Sequence, residues 1–335
     1  MEKRINLFIT EQNSYLSVEG NRLNVKVDKQ SKLDLPLINI RQIVLFGNIG
    51  ISPVAINRCL NENIIISFLS MRGKFIGQIV PPYHNDSKII TMQIKRSEDL
   101  GFKTNLSRRI VDAKIRNSIS IISKRYKKQF SLEEDINSLQ NILERLNRTD
   151  SIKEILGYEG SSARIYFGML SKILNKEYGF DGRTKNPPMD PVNSMLSFSY
   201  TLLHTICYSM LVISGLNPNI GFLHEQRSGH PALASDIMEE LRAYVCDRLV
   251  IRLVNQGYFK KDSFTYTDKG VFFKDDSLKR FLKEWASNLD NEVEIDNAIN
   301  TNIWRLIDVQ TEKIKRSIIS GEQYKPFLVM ENNLQ

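Results

Sequence analysis

Three short segments of the chain carry acids or a histidine in settings that suit chemistry on a charged substrate. Glu159 stands among glycines that allow close backbone approach, just before a predicted helix. His224 lies in a loop that follows a long apolar helix. The third segment is a predicted helix with Asp236, Glu239 and Glu240, which project together because residues three and four apart share a helix face. Like charges at this spacing repel, so a cation against them would favour the cluster.

Carboxylates with one imidazole favour Mg²⁺ or Mn²⁺ over zinc, which prefers closed shells of nitrogen and sulfur ligands. Such a cation polarises a phosphodiester oxygen and orients the attacking oxygen. Each segment also has a structural interpretation: Glu159 as an acid in the first turn of a helix, His224 as a structural loop residue, and the acids near Glu239 as a solvated patch. The residues alone leave both interpretations open.

The elements that must position these residues change in character along the chain. Residues 1–80 are rich in short apolar runs typical of strands, with a hairpin at a Glu-Gly-Asn turn. Ser52 and Pro53 there predict the start of one short helix. Two consecutive prolines interrupt the chain within 81–91, and helical periodicity dominates 92–335. The sequence therefore predicts an α+β protein with a small β-rich domain, a proline-containing linker and a larger all-α domain.

Composition and charge narrow the environment and the partners of the protein. Among 335 residues, 46 Lys and Arg oppose 38 Asp and Glu, a formal charge of +8 that favours polyanionic partners such as nucleic acid. The cysteines are few, odd in number and far apart, which favours a reducing cytoplasm. The start of the chain has too short an apolar stretch for a signal peptide. Polar residues interrupt the most apolar segment, 195–216, which predicts a buried core helix and no membrane span.

The stretch 103–130 is strongly basic, with one acid, Asp112. Its basic residues are Lys103, Arg108, Arg109, Lys114, Arg116, Lys124, Arg125, Lys127 and Lys128. A charge run on a helix is usually a solvated face, but this one has enough cations to neutralise several phosphates. The sequence leaves a solvated face and a DNA contact equally open.

Several motifs, in order along nearly the whole chain, resemble the CRISPR-associated integrase family, the universal adaptation endonuclease. They are LFGN at 45–48, IIISFL at 64–69, GYEGSSARIYF at 157–167, RTKNPPMDPVN at 183–193, GFLHE at 221–225 and LASDIMEELR at 233–242. The family's acidic helix often ends in Arg-Pro, whereas Arg242 here precedes Ala243. That departure leaves open how the helix continues.

The resemblance implies which residues bear the activity. Glu159, His224 and Glu239 take the three catalytic metal-ligand positions for Mg²⁺ or Mn²⁺, and Asp236 either supports a ligand or replaces one. Asp190 is predicted to cap a helix that begins at the next proline. The candidates for DNA binding lie on either side of that helix and along the acidic helix: Arg183, Lys185, Arg242, Arg248 and Arg252.

The resemblance also implies a metal-dependent DNA endonuclease and integrase, in which a prespacer 3′-hydroxyl attacks a repeat phosphodiester. It implies a homodimer joined through the β-rich domains and a small adaptation partner protein, with DNA bound mainly through phosphates. Two alternatives stay open: a non-catalytic DNA-binding scaffold, and a transposase of a related mobile element. Such transposases often carry an added helix-turn-helix module, and none is expected after the last apparent helix, 303–319.

Overall fold

A computed structural model of the protein describes residues 4–81, 87–126, 131–295 and 299–330. The chain forms two compact units. The first comprises Met1–Asn85 and Leu278–Ala286, and the second comprises Asp86–Ser277 and Ser287–Gln335. Residues 82–86 of the predicted linker, 81–91, lie outside the described residues. A helix, Ser87–Glu98, begins within that linker, so the prediction is wrong for 87–91, which are helical.

The first unit contains two four-stranded sheets and one short helix. Its elements are β1 (Ile5–Ile9), β2 (Tyr15–Glu19), β3 (Arg22–Val27), β4 (Gln30–Pro36), β5 (Ile40–Phe46), β6 (Gly50–Ile51), α1 (Pro53–Asn61), β7 (Ile65–Leu69) and β8 (Phe75–Ile79). One sheet has the order β1-β5-β7-β8 and the other β4-β3-β2-β6. Strands β5 and β7 pair in parallel and are mostly apolar because most residues on both faces of each strand are buried.

Local signals in this unit are confirmed. Strands β2 and β3 pair antiparallel around the predicted Glu-Gly-Asn turn. The Ser52 hydroxyl accepts a hydrogen bond from the Ala55 amide, and Pro53 is the first residue of α1. Apolar side chains from both sheets share one core that includes Leu16 and Ile43.

The second unit is mostly helical. Its helices are α2 (Ser87–Glu98), α3 (Leu100–Tyr126), α4 (Glu133–Leu146), α5 (Ile152–Ile173), α6 (Pro191–Ile213), α7 (Ala232–Arg242), α8 (Arg248–Asn255), α9 (Asp275–Leu289), whose middle belongs to the first unit, and α10 (Ile303–Ser320). A π-helical stretch, Ala243–Asp247, continues α7 directly into α8. Helices α3, α5, α6 and α7 pack against one another, α3 touching both α5 and α7.

The predicted fold class is confirmed, with one addition. Two antiparallel hairpins interrupt the helical region: β9 (Phe264–Thr267) with β10 (Gly270–Phe273), and β11 (Glu292–Ile295) with β12 (Ile299–Asn302). Each strand has four residues, too few for alternating hydrophobicity to distinguish it from a loop. The description of this region as all-α was therefore incomplete.

Helix α6 is the buried core helix that the sequence predicts. Asp190 caps it by accepting a hydrogen bond of 2.8 Å from the Asn193 amide, and Pro191 is its first residue. The helix is long and apolar enough to cross a membrane, but 67% of its most apolar window is buried within the protein. Its apolar character is thus explained by packing.

Candidate functional site

Glu159 lies in the middle of helix α5, which corrects the prediction that it precedes a helix. The helix begins at Ile152, and the Ser151 hydroxyl caps it by accepting from the Glu154 amide. Gly157 and Gly160 suggested a loop because glycine costs about 1 kcal/mol relative to alanine inside a helix. Packing of α5 against α3 and α4 outweighs that cost. Glu159 therefore lies on a packed helix and not in a loop.

Glu239 lies on α7 and is almost fully buried, with 3% of its surface exposed. Asp236 on the same helix is 0% exposed. The interpretation of these acids as a solvated patch is therefore wrong. Burial alone would raise the pKa of Glu239, but Arg242 and Lys114 hold that pKa below its usual value. The ion pair from Arg242 Nη2 to Glu239 Oε1 measures 2.7 Å. A buried and ionised carboxylate needs such partners.

Asp236 organises the loop that carries His224. Its Oδ2 accepts hydrogen bonds from the amides of Phe222 at 2.6 Å and Leu223 at 3.1 Å. Its Oδ1 accepts from the His224 amide at 3.0 Å and lies 2.8 Å from His224 Nδ1. Desolvation lowers the pKa of His224, but the Asp236 hydrogen bond and nearby carboxylates outweigh it and raise the pKa.

The Asp236 contact fixes the orientation of the imidazole. With Nδ1 donating to Asp236, the other ring nitrogen, Nε2, faces Glu239 Oε1 at 3.9 Å. This is the arrangement in which a carboxylate holds a metal-binding histidine in one tautomer. All four oxygen contacts of Asp236 point into the loop, which favours a supporting role over that of an alternative ligand.

Lys114 brings Glu159 and Glu239 together. Its side chain reaches from α3 between α5 and α7, with Nζ hydrogen-bonded to Glu159 Oε1 and 2.6 Å from Glu239 Oε2. Lys114 is 8% exposed, and a lysine is almost never so buried unless paired. The sequence placed this residue in the basic run and missed its position in the site.

Glu240 does not join this cluster, which corrects the prediction that it projects with Asp236 and Glu239. Its Oε1 accepts hydrogen bonds of 2.8 Å from Gln310 and from the Tyr324 hydroxyl. Consecutive residues are rotated by about 100° around a helix, and the 3.6-residue repeat carries Glu240 to a different side of α7. Burial raises its pKa to about 7.

A second buried carboxylate lies close to Arg242. Asp247, in the π-helical stretch, accepts hydrogen bonds from the hydroxyls of Tyr200 at 2.6 Å and Tyr166 at 3.0 Å. The Arg242 guanidinium lies 4.6 Å from the centre of the Tyr200 ring. Burial raises the pKa of Asp247 to about 6 although these hydroxyls and Arg242 act against it. The network holds Arg242 against Glu239.

Four of the five basic residues predicted to bind DNA differ in their contacts and exposure. Arg183 donates to Asn193 Oδ1 and to the Ser197 hydroxyl. The guanidinium of Arg248 lies 4.0 Å from the Tyr244 ring centre. Arg242 is paired with Glu239 as described above. Lys185 is exposed. Its pKa is lowered, mainly by partial desolvation and to a smaller extent by the nearby positive charge of Arg242.

Most of the basic run lies on α3. Arg108 pairs with Asp150 at 2.5 Å and Arg116 with Asp112 at 2.7 Å. Lys127 and Lys128 lie outside the described residues, as do the side chains of Lys124 and Arg125. The described part of the run thus contains surface ion pairs and one residue of the site, Lys114.

The donor atoms of the site are of the kinds that suit a divalent cation. Glu159 and Glu239 share the Lys114 ammonium, and Nε2 of His224 lies 3.9 Å from Glu239 Oε1; oxygen and imidazole donors suit Mg²⁺ or Mn²⁺. A positive group, the Lys114 ammonium, already lies between the two carboxylates. Among the residues that the structure describes, no three His, Cys, Asp or Glu side chains stand closely enough to hold an ion together.

A family model described as CRISPR associated protein Cas1 matches residues 7–287. A relative from Chlorobaculum tepidum, named CRISPR-associated endonuclease Cas1 1, is 32% identical over 305 residues, which cover 88% of this chain and 89% of the relative. These matches confirm the family resemblance drawn from the motifs.

Two solved structures share the fold. A casposase bound to integration product matches with a TM-score of 0.84 and 23% identity over 98% of this chain and 92% of its own. A chain of a Cas6-RT-Cas1–Cas2 complex matches with a TM-score of 0.85 and 22% identity, over 99% of this chain and 37% of that longer one. At these identities the likeness is one of fold.

Proposed function

This chain belongs to the CRISPR-associated Cas1 family, and from that premise we propose that it is a divalent-metal-dependent DNA endonuclease and integrase. The proposed activity inserts spacer DNA into a CRISPR array. The observation that carries the proposal is that Glu159 and Glu239, on two different helices, both contact the buried Lys114 ammonium, while Nε2 of His224 lies 3.9 Å from Glu239 Oε1.

The proposed ligands are Glu159, Glu239 and Nε2 of His224. A Mg²⁺ or Mn²⁺ ion bound there would stabilise negative charge on the phosphodiester and orient the attacking oxygen. Asp236 keeps the imidazole in the tautomer whose Nε2 lone pair faces the site. Arg242 keeps Glu239 ionised.

The proposed reaction is a transesterification. The 3′-oxygen of the spacer bonds to the repeat phosphorus, the bond from phosphorus to the repeat 3′-oxygen breaks, and the diester count is unchanged. The spacer hydroxyl releases one proton and the departing 3′-oxygen takes one up. With water as the nucleophile, the same step is hydrolysis. The protein contributes chiefly orientation and charge, which the rigid positions on α5 and α7 suit.

We assign Lys185 as the first DNA contact to test among Arg183, Lys185, Arg242 and Arg248, since it is the exposed member of that set. Partners of this chain follow by analogy. A fold relative belongs to a Cas6-RT-Cas1–Cas2 complex, and we infer a small adaptation partner here. A homodimer joined through the β-rich unit and a cytoplasmic location complete the proposal.

The non-catalytic scaffold is the weaker candidate. It requires acids that merely face solvent, whereas Asp236 and Glu239 are buried and paired with cationic or hydrogen-bonding groups. Burying ionised carboxylates costs free energy that a DNA-binding surface does not require. A site built to hold a cation accounts for that cost.

The test is strand transfer by the purified chain on a branched DNA or a repeat duplex, with Mn²⁺, Mg²⁺ or chelator. Glu159→Ala, His224→Ala and Glu239→Ala are each expected to abolish metal-dependent joining, while circular dichroism shows a folded protein. Lys172→Met removes a lysine whose ion pair with Asp135 lies elsewhere on α5 and serves as the active control. Full activity of the Glu159 and His224 variants would refute the assignment of the site.

A further inference from the structure

Lys114 is the feature of the site that the proposed chemistry leaves unexplained. It is nearly buried, with 10% of its side chain exposed, and its ammonium group contacts Glu159 and Glu239. Those two carboxylates belong to different helices, so the contact does not follow from local sequence. Apolar residues flank Lys114 on α3, since Ala113 and Ile115 are both buried.

The position of this ammonium coincides with the space that a metal ion needs. The two carboxylates lie within ion-pairing distance of the same nitrogen, so their oxygens are no more than two such contacts apart. Arg242 supplies a second positive group to Glu239. Two cationic side chains thus already face the two carboxylates, and a divalent ion would bring further positive charge beside them. Lysine has a flexible four-carbon stem that lets its charge move away.

Two roles for Lys114 predict opposite effects on metal binding. If the lysine only holds the two helices in position, its removal lets the carboxylates move and lowers their affinity for an ion. If it competes with the ion, its removal leaves two unneutralised carboxylates and strengthens metal binding. The contact of one nitrogen with both proposed ligands favours competition, because an ion between them cannot coexist with the ammonium in that place.

We propose that Lys114 is an internal cation that holds Glu159 and Glu239 together without metal and must be displaced when a divalent ion binds. The inference rests on the proposed metal site. It makes Lys114 a positioning residue that sets how much free Mn²⁺ or Mg²⁺ is needed before the site is loaded.

The test is the Mn²⁺ affinity of the full chain without DNA, measured by electron paramagnetic resonance. Lys114→Met keeps most of the apolar stem and removes the charge. We expect its Kd for Mn²⁺ to fall by at least about tenfold relative to the unmodified protein. Lys172→Met is the matched control: Lys172 also pairs with a carboxylate, Asp135, at 2.6 Å, but lies about 20 Å from Glu159 along α5 at 1.5 Å per residue. Its Kd should not change.

A second measurement needs no variant and decides the matter if Lys114→Met does not fold. Amine labelling of the unmodified protein, read by mass spectrometry, should increase at Lys114 when Mn²⁺ is added and stay constant at Lys172. Unchanged labelling of Lys114, or an equal or weaker Mn²⁺ affinity of a folded Lys114→Met, would overturn the inference while the metal site stands. If neither protein binds Mn²⁺ at all, the proposed metal site itself fails.

Discussion

Two consecutive glutamates on opposite sides of helix α7 have pKa values shifted in opposite directions. Glu239 faces Lys114, Arg242 and His224, and its pKa lies below the usual value although the residue is buried. Glu240 faces Gln310 and Tyr324, which are neutral, and burial raises its pKa to about 7. Both are 3% exposed or less.

The difference shows that burial does not decide the charge of a carboxylate here; the partners do. Cationic partners stabilise the ionised form, whereas neutral hydrogen-bond donors compensate only part of the desolvation. One side of α7 is therefore suited to hold a cation. The other attaches the segment after α10 to the core, since Tyr324 and Phe327 both contact Glu240.

The largest expected difference between Glu239 and Glu240 appears when each glutamate is neutralised with little change of shape. Glu239→Gln should reduce Mn²⁺-dependent strand transfer on the order of 10³-fold, because a proposed ligand loses its charge. Glu240→Gln should keep most of the activity, because that carboxyl contacts neither Lys114 nor His224. Rates on one repeat duplex measure both. Equal losses in the two variants would show that the two sides of α7 are not functionally distinct.

The pH dependence of stability should separate the same two residues. The pKa of Glu240 is about 7 in the folded protein against 4.5 as the reference value, so the folded state holds the proton more tightly. Its contribution to stability is present below the unfolded pKa and is lost as pH rises through the folded one.

The Glu240→Gln variant cannot lose this contribution. The difference between its free energy of unfolding and that of the unmodified protein should therefore shift in favour of the variant by up to about 3 kcal/mol from pH 5 to pH 8. A pH-independent offset is expected as well, because the new amide adds a donor where Glu240 Oε2 has no hydrogen-bond partner. Urea unfolding at several pH values measures the difference. A difference that stays flat with pH would contradict the raised pKa.

A substitution of Asp236 tests whether metal binding by the proposed site depends on the orientation of His224. Asp236→Asn replaces one acceptor oxygen by an amide donor, which then faces the loop amides or the imidazole. We expect Mn²⁺ affinity to fall about 10- to 100-fold, the usual effect of losing the partner that orients a ligand. Calorimetric titration measures it, with Glu240→Gln as the control. Unchanged affinity would mean that the imidazole needs no such support.

The sequence predicted those features of the fold and site that depend on local patterns. Ser52 and Asp190 were recognised as helix caps because capping requires only a few consecutive residues. His224 was placed correctly in a loop before an acidic helix. The family motifs identified the three proposed ligands without giving their geometry.

What the sequence missed depends on contacts between distant segments. Helix α5 runs through Gly157 and Gly160 because it packs on α3 and α4, and packing is not visible in local propensity. Glu240 was grouped with Glu239 because each lies about one turn from Asp236, although consecutive residues are rotated by about 100° around the helix and contact different partners. Lys114 was counted as part of a basic surface. Apolar Ile110 and Val111, four and three residues before Lys114 on the same helix face, were a signal that this lysine points inward.

The smallest expected effect concerns the neutral side of α7. Tyr324→Phe removes the hydroxyl that donates to Glu240 Oε1 at 2.8 Å and leaves the ring in place. We expect a loss of about 1 kcal/mol in the free energy of unfolding, the usual net value of one hydrogen bond. The loss should be greatest at high pH, where Glu240 is ionised and accepts more strongly. Urea unfolding of the variant at pH 5 and 8 measures it, and a larger loss at pH 5 would contradict this picture. Strand transfer should not change, because Tyr324 bonds to Glu240 and not to the glutamate that faces Lys114.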